Sequence, residues 1–176
     1  TVRYSNVITI NVVADPVVTI SHSGDASVCS GGDPGSFSSS ATGGTGGTSY
    51  QWQWDTPGGS TAFANISGQT SAIWNPAGPS FATAGTYLVR LYYNRTGSGC
   101  GDAYSNVITI TVIADPTISI THNLGATTIC TGGDPGSFTS KQANGQSGPV
   151  FTWQLDPPGG TSWTDVATSD NWDPTV

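Results

Sequence analysis

Tyr104-Ser-Asn-Val-Ile-Thr-Ile-Thr-Val-Ile-Ala-Asp-Pro116 restates a stretch already present as Tyr4-Ser-Asn-Val-Ile-Thr-Ile-Asn-Val-Val-Ala-Asp-Pro16. The copies lie 104 − 4 = 100 residues apart, the size of one sandwich-type domain. Each copy reads as a β-strand. In the second, Val107, Thr109 and Thr111 alternate with Ile108, Ile110 and Val112, the two-residue period of a pleated chain. Asp-Pro then stops the strand, because proline lacks the N–H that a ladder needs. A new strand-like run follows at once, Val17-Val-Thr-Ile20 in one copy and Thr117-Ile-Ser-Ile120 in the other. A fixed internal period sets the organisation of the whole chain. Residues 1–15 read as the last strand of a preceding module, 16–115 as one complete module and 116–176 as the first part of the next. The junctions fall at Asp15-Pro16 and Asp115-Pro116.

A second set of matches fixes the frame. Cys29-Ser-Gly-Gly-Asp-Pro-Gly-Ser-Phe37 recurs as Cys130-Thr-Gly-Gly-Asp-Pro-Gly-Ser-Phe138, an offset of 101 that places one inserted residue in the turn around Gly125. Gly-Gly-Asp-Pro-Gly is a turn, since glycine supplies positive φ and proline presets φ. Phe37 to Ala41 reads as a short strand, followed by a flexible Gly/Thr loop at 42–48. Tyr50, Trp52 and Trp54 then share one face of a strand, and Phe151, Trp153 and Leu155 match them one module later. A face that stays apolar in both copies is a core face. Ile66 and Trp74 match Val166 and Trp172, and Gly85 to Tyr93 forms the most regular strand, with Tyr87, Val89, Leu91 and Tyr93 on one side. Phe37, Trp52, Tyr87, Val89 and Trp153 are the expected core. Cys29 precedes the second strand and Cys100 sits in the turn between the last two. We expect them to bond and tie the module's ends together, with Cys130 pairing to a residue after position 176. Such a bond would close a loop of 100 − 29 = 71 residues, worth roughly 4 kcal/mol in the chain-entropy account, and would place the protein in an oxidising compartment.

Composition narrows the function classes. Only 9% of residues are charged, Lys plus Arg total 4 and the net charge is −7, which argues against nucleic acid or an anionic membrane surface as partner. No apolar run nears the roughly 18 residues that span a bilayer. Hydrophobic residues make up 35% and Trp six of the 176, enough for packed cores. Long helical patterns are absent, so the chain is all-β.

Taken in order, these motifs resemble the immunoglobulin-like or PKD-like tandem repeats of giant secreted Bacteroidota surface adhesins exported by the type IX system. The carrying features are the Cys-x-Gly-Gly turn at Cys29, the Tyr-x-Trp strand at Tyr50, the Gly-x-Tyr strand at Gly85, the Gly-Cys-Gly hairpin at Gly99 and the Ser-Asn-Val-Ile-Thr-Ile strand. Gly-x-Tyr looks like the tyrosine corner of immunoglobulin-like sandwiches, although Val89 stands where antibody domains carry a cysteine. The resemblance implies tandem sandwiches of about seven antiparallel strands and an extracellular, cell-surface stalk or filament in adhesion, gliding or prey capture. Its partners would be neighbouring modules and identical chains in a bundle, contacting through Thr/Ser-rich faces and exposed Tyr92 or Trp74. The alternatives are a module that binds a glycan or cell-surface ligand through the 42–48 loop, and a filament subunit that donates residues 1–15 as a strand.

Chemistry has little support. His22 and His122 hold equivalent places but bring no second ligand cluster, so they read as exposed strand-end histidines rather than a metal site. Asp15 and Asp115 at the junctions are weak Ca²⁺ candidates, with only Asp25, Asp33 and carbonyls to join them, against the six to eight oxygens calcium takes. Turn capping is the simpler reading. Asn65-Ile-Ser67 and Asn94-Arg-Thr96 fit the glycosylation pattern. Asp170 and Asp173 flank Trp172 without an acidic pair at the matching positions of the complete module. No triad or phosphate loop is present, and we expect no enzyme and no cofactor.

Overall fold

The computed structural model describes residues 1–59, 62–124, 128–145, 147–160 and 162–174. Gly125, in the turn expected to carry the insertion, and Gln146, in the counterpart of the 42–48 loop, lie outside them. The protein is all-β and divides into two compact units, 1–112 and 113–176.

The first unit is an antiparallel β-sandwich. Its strands are β1 (Val17–His22), β2 (Ser27–Cys29), β3 (Phe37–Thr42), β4 (Thr48–Asp55), β5 (Ala64–Asn65), β6 (Ile73–Trp74), β7 (Gly85–Arg95), β8 (Ala103–Tyr104) and β9 (Ile108–Ile113). One sheet has the order β1-β3-β6; the other runs β2-β9-β7-β4-β5, with β8 also on β7. Alternation decides which side chains meet between the sheets. Val18, Ile20, Phe37 and Trp74 come from the smaller sheet; Trp52, Tyr87, Val89, Leu91, Tyr93, Ile110 and Val112 come from the larger, and all are buried in one cluster. Phe37 stacks on Trp74 with centroids 5.0 Å apart, and Trp52 lies 6.0 Å from each. The Trp52 indole N–H donates to the Ser71 carbonyl at 2.9 Å, so its one polar atom is satisfied inside the core. The Tyr87 hydroxyl accepts from the Thr83 N–H at 3.2 Å, the backward reach of a tyrosine corner. Gly85 opens β7 at φ 137°, and a Cβ there would lie 2.6 Å from the Pro57 Cβ; both the backbone and the space demand glycine.

The Ser-Asn pair of the repeated motif splits β8 from β9 and joins the sheets. Ser105 Oγ accepts the Leu91 N–H at 2.9 Å, holding the break against β7. Asn106 reaches the other sheet: its Oδ1 accepts the Ile20 N–H at 2.8 Å and its Nδ2 donates to the Ile20 carbonyl at 3.2 Å. One side-chain amide thus takes the place of a ladder partner on the open edge of β1, where unpaired backbone groups would otherwise stand.

Two expectations from the repeat change here. Residues 104–116 contain paired strand, but residues 1–15 form no strand and are exposed along their length, although the sequence is nearly the same. Their recorded tether is the Ala14 carbonyl, which accepts from the Gly44 N–H at 2.8 Å. Strand geometry needs a ladder, and among the described residues nothing plays for 4–14 the part that β7 plays for β9. Trp74 is not a surface contact either: it is 2% exposed, at the centre of the core.

The second unit rebuilds the first part of the sandwich. Its strands are β10 (Thr117–His122), β11 (Phe138–Ala143), β12 (Trp153–Leu155), β13 (Thr164–Ala167) and β14 (Asn171–Trp172), in sheets β10-β11-β14 and β12-β13. Phe138 stacks on Trp172 at 5.5 Å, and the Trp153 indole donates to the Ser169 carbonyl at 2.8 Å. Trp153 is buried, yet Ile118 and Ile120 are 65% and 63% exposed where Val18 and Ile20 are 3% and 6%. Leu155 is exposed too. Among the described residues this unit has no counterpart of β7 and β9 to cover that face, and β12 is correspondingly short.

Replacing Asn106 by Ala is expected to cost about 1–3 kcal/mol, because it strands both backbone groups of Ile20. Urea unfolding of the first unit checks this, and a loss within about 0.5 kcal/mol, that of an ordinary surface change, would contradict it.

Candidate functional site

The residues singled out in the sequence do not converge. Cys29 and Cys100 are both free thiols, which corrects the expected disulfide. Cys29 lies beyond the Gly85 end of β7, where the neighbouring Gly31 N–H donates to the Phe81 carbonyl at 2.9 Å. Cys100 lies beyond the Arg95 end, where its Sγ accepts the Thr45 N–H at 3.3 Å. Eleven residues of extended β7 separate these ends, on the order of 30 Å, whereas a disulfide needs Cα atoms within about 7 Å. Cys130 is also free and is exposed.

His22 and His122 are half-buried rather than exposed strand-end groups. Each ring packs on the phenylalanine opposite it, His22 on Phe37 at 4.8 Å and His122 on Phe138 at 4.7 Å. Each Nε2 hydrogen-bonds a carbonyl of the Asp-Pro-Gly turn, that of Pro34 or Pro135. They are turn locks. Asp33 and Asp134 complete the same turns, accepting from the Gly35 and Gly136 N–H groups at 2.8 and 2.7 Å. Asp15 and Asp115 are exposed, and no group of three or more metal-binding side chains gathers among the described residues.

The 42–48 loop is pinned. Gly44 N–H donates to Ala14, Gly97 N–H to the Thr45 carbonyl at 2.8 Å and Gly47 N–H to Thr96 Oγ1 at 2.9 Å. A loop whose backbone is spent on its own module has little left to offer a ligand.

An organised polar surface lies on the outer face of the larger sheet. Because Trp52, Trp54, Leu91 and Tyr93 turn inward, Gln51, Gln53, Arg90 and Tyr92 turn outward. Register places Gln51 beside Tyr92, Gln53 beside both Arg90 and Asn65, and Tyr92 beside Tyr104. The Arg90 guanidinium lies 4.0 Å from the Phe63 ring centroid and 4.3 Å from that of Tyr104, held by cation–π attraction on both sides. Arg90 Nε donates to Gln53 Oε1 at 2.9 Å, and Gln53 Nε2 donates onward to Asn65 Oδ1 at 2.8 Å. Tyr92 packs on Tyr104 at 5.3 Å. Asp102 accepts from Asn94 Nδ2 at 2.5 Å. Gln51, Gln53, Asn65, Tyr92, Asp102 and Tyr104 together line an open groove of about 410 Å³. Both asparagines of the glycosylation-type tripeptides thus belong to this network. The sequence held its signal, a polar-aromatic alternation opposite the core face, but not the cross-strand register that assembles it.

Residues 18–114 match the family described as "Domain of unknown function (DUF8696)". The chain belongs to that family. The match begins in β1 and ends just after β9, so the DUF8696 domain and the complete sandwich are the same object. No curated protein matches the chain.

Two outcomes follow. Alkylation of the denatured, unreduced protein is expected to label both Cys29 and Cys100, with the same melting temperature with and without reductant; a peptide cross-linked between them would overturn the free-thiol assignment. The hydrogen bond to Asp102 raises the Tyr92 pKa above its ordinary value, and desolvation and the nearby carboxylate charge act in the same direction. A raised folded-state pKa gives stability that is present below the unfolded value and is lost as pH rises through the folded one. Asp102→Asn should therefore lower the pH at which Tyr92 ionises, read from its ring carbons by NMR; an unchanged midpoint would contradict the assignment.

Proposed function

We propose that the chain is a structural segment of a long extracellular surface protein, a tandem array of β-sandwich modules that holds other parts of that protein away from the cell. The observation that carries this reading is the rebuilding of one internal framework about 100 residues later. The His–Phe–Trp stack, the Trp indole bond and the Asp-Pro-Gly turn all recur in the second unit. What repeats is core and turn; the 42–48 loop is built of Thr and Gly alone, whereas its counterpart at 142–148 carries Gln, Ala, Asn and Ser with half as many glycines. Selection for a repeated ligand loop would do the reverse. Between β9 and β10 stand only Ala114, Asp115 and Pro116, so the last strand of one module is followed almost at once by the first strand of the next. Low charge and Thr/Ser-rich strands suit a surface that stays soluble beside identical chains. The array does this without the disulfide, so the extracellular assignment rests on the motif order and the composition.

Electron microscopy of the native polypeptide tests the reading. Extended particles with one bead per roughly 100 residues are expected, on a chain many times the mass of this segment. Compact particles of a small subunit would overturn it.

A further inference from the structure

We propose that the outer face of β4, β5, β7 and β8 in the first unit binds neutral oligosaccharides, with the exposed Tyr104 ring as stacking platform and Gln51 and Asn65 as hydroxyl partners. Three observations carry it. First, the face is pre-organised. Arg90 is clamped between Phe63 and Tyr104, and Gln53 passes a hydrogen bond from Arg90 to Asn65. Long polar side chains on an idle surface gain little by being ordered; ordering them beforehand lowers the cost of binding.

Second, the groups left over have the chemistry of a sugar edge. Gln51 Nε2 is spent on the Trp52 and Ile66 carbonyls at 2.8 and 2.9 Å, which leaves Oε1 as the acceptor that Gln51 contributes to the groove. Asn65 Oδ1 is taken by Gln53, which leaves its Nδ2 as donor. An acceptor and a donor on neighbouring strands suit adjacent hydroxyls, each of which donates and accepts. Arg90 lies over the Tyr104 ring, yet Tyr104 stays 52% exposed, which leaves aromatic surface for the C–H side of a pyranose ring and a hydroxyl at its edge. The groove, about 410 Å³, is open and polar, which suits a hydroxyl-rich ligand lying along the surface rather than an enclosed apolar one.

Third, the charge excludes anionic ligands. The Arg90 cation is covered by two rings, Asp102 lines the groove and the chain carries −7. The second unit keeps part of this face: Gln154 Nε2 donates to Asp165 Oδ1 at 2.9 Å, and Trp163 stands where the first unit has Phe63. This site is separate from the 42–48 loop and does not depend on the spacer reading.

The test is ¹⁵N NMR of the full 176-residue chain titrated separately with cellohexaose, xylohexaose, mannohexaose and chitohexaose, and with polygalacturonate as the anionic probe. At least one neutral hexamer is expected to shift Gln51, Gln53, Asn65, Tyr92 and Tyr104 together. Tyr104→Ala should weaken that binding about tenfold, the loss of one aromatic stacking contact, while the spectrum away from the groove stays unchanged. Shifts confined to the 42–48 loop, a preference for polygalacturonate, or no shift with any probe would overturn the proposal. Concentration-dependent self-association abolished by Tyr104→Ala, without sugar-induced shifts, would also overturn it and make this face a contact between copies.

Discussion

Closure of the sandwich depends on a tryptophan whose ring packs in the core and whose N–H is answered there. Trp52 presents its ring to Phe37 and Trp74 and its indole N–H to Ser71. Trp52 is the largest of the fully buried side chains, and the hydrogen bond removes the penalty for burying a polar atom. Because Phe37 and Trp74 belong to the smaller sheet and Trp52 to the larger, this cluster sets the sheet spacing. Trp153, Phe138, Trp172 and Ser169 reproduce it in the second unit. The histidine and Asp-Pro-Gly turn beside it serve the same end, fixing how β1 enters β3.

Around that centre, strands exist only where ladders complete them. The Tyr-Ser-Asn-Val-Ile-Thr-Ile sequence is paired strand in one place and unpaired, exposed chain in another. Its propensity is identical, so propensity is not what decides. β7 provides the ladder, Ser105 breaks it at the right residue, and the Asn106 side chain ties that break to β1. The same rule leaves Ile118 and Ile120 exposed in the second unit. An apolar face is a core only when something covers it.

The two faces of the larger sheet divide the work. The inner face carries the repeat and its stability. The outer face carries an ordered network of amides, aromatics and one clamped arginine that packing does not require. Neither face constrains the other, because neighbouring residues of one strand never share a side.

The sequence by itself determined the all-β class, the period near 100 residues, the turns and which strand faces are apolar. Those properties are local or periodic, and alternation at Tyr50–Trp54 or Tyr87–Tyr93 is visible without knowing the partner strand. Only the tertiary structure decided the rest. Cys29 and Cys100 stand at opposite ends of β7, because the fold, not their rank in the chain, sets the distance between them. His22 is a turn lock because Phe37 and Pro34 arrive beside it from β3 and its turn. Gln51, Asn65, Arg90 and Tyr104 come from four separate strands or turns, and their meeting depends on cross-strand register, which no short stretch of sequence encodes.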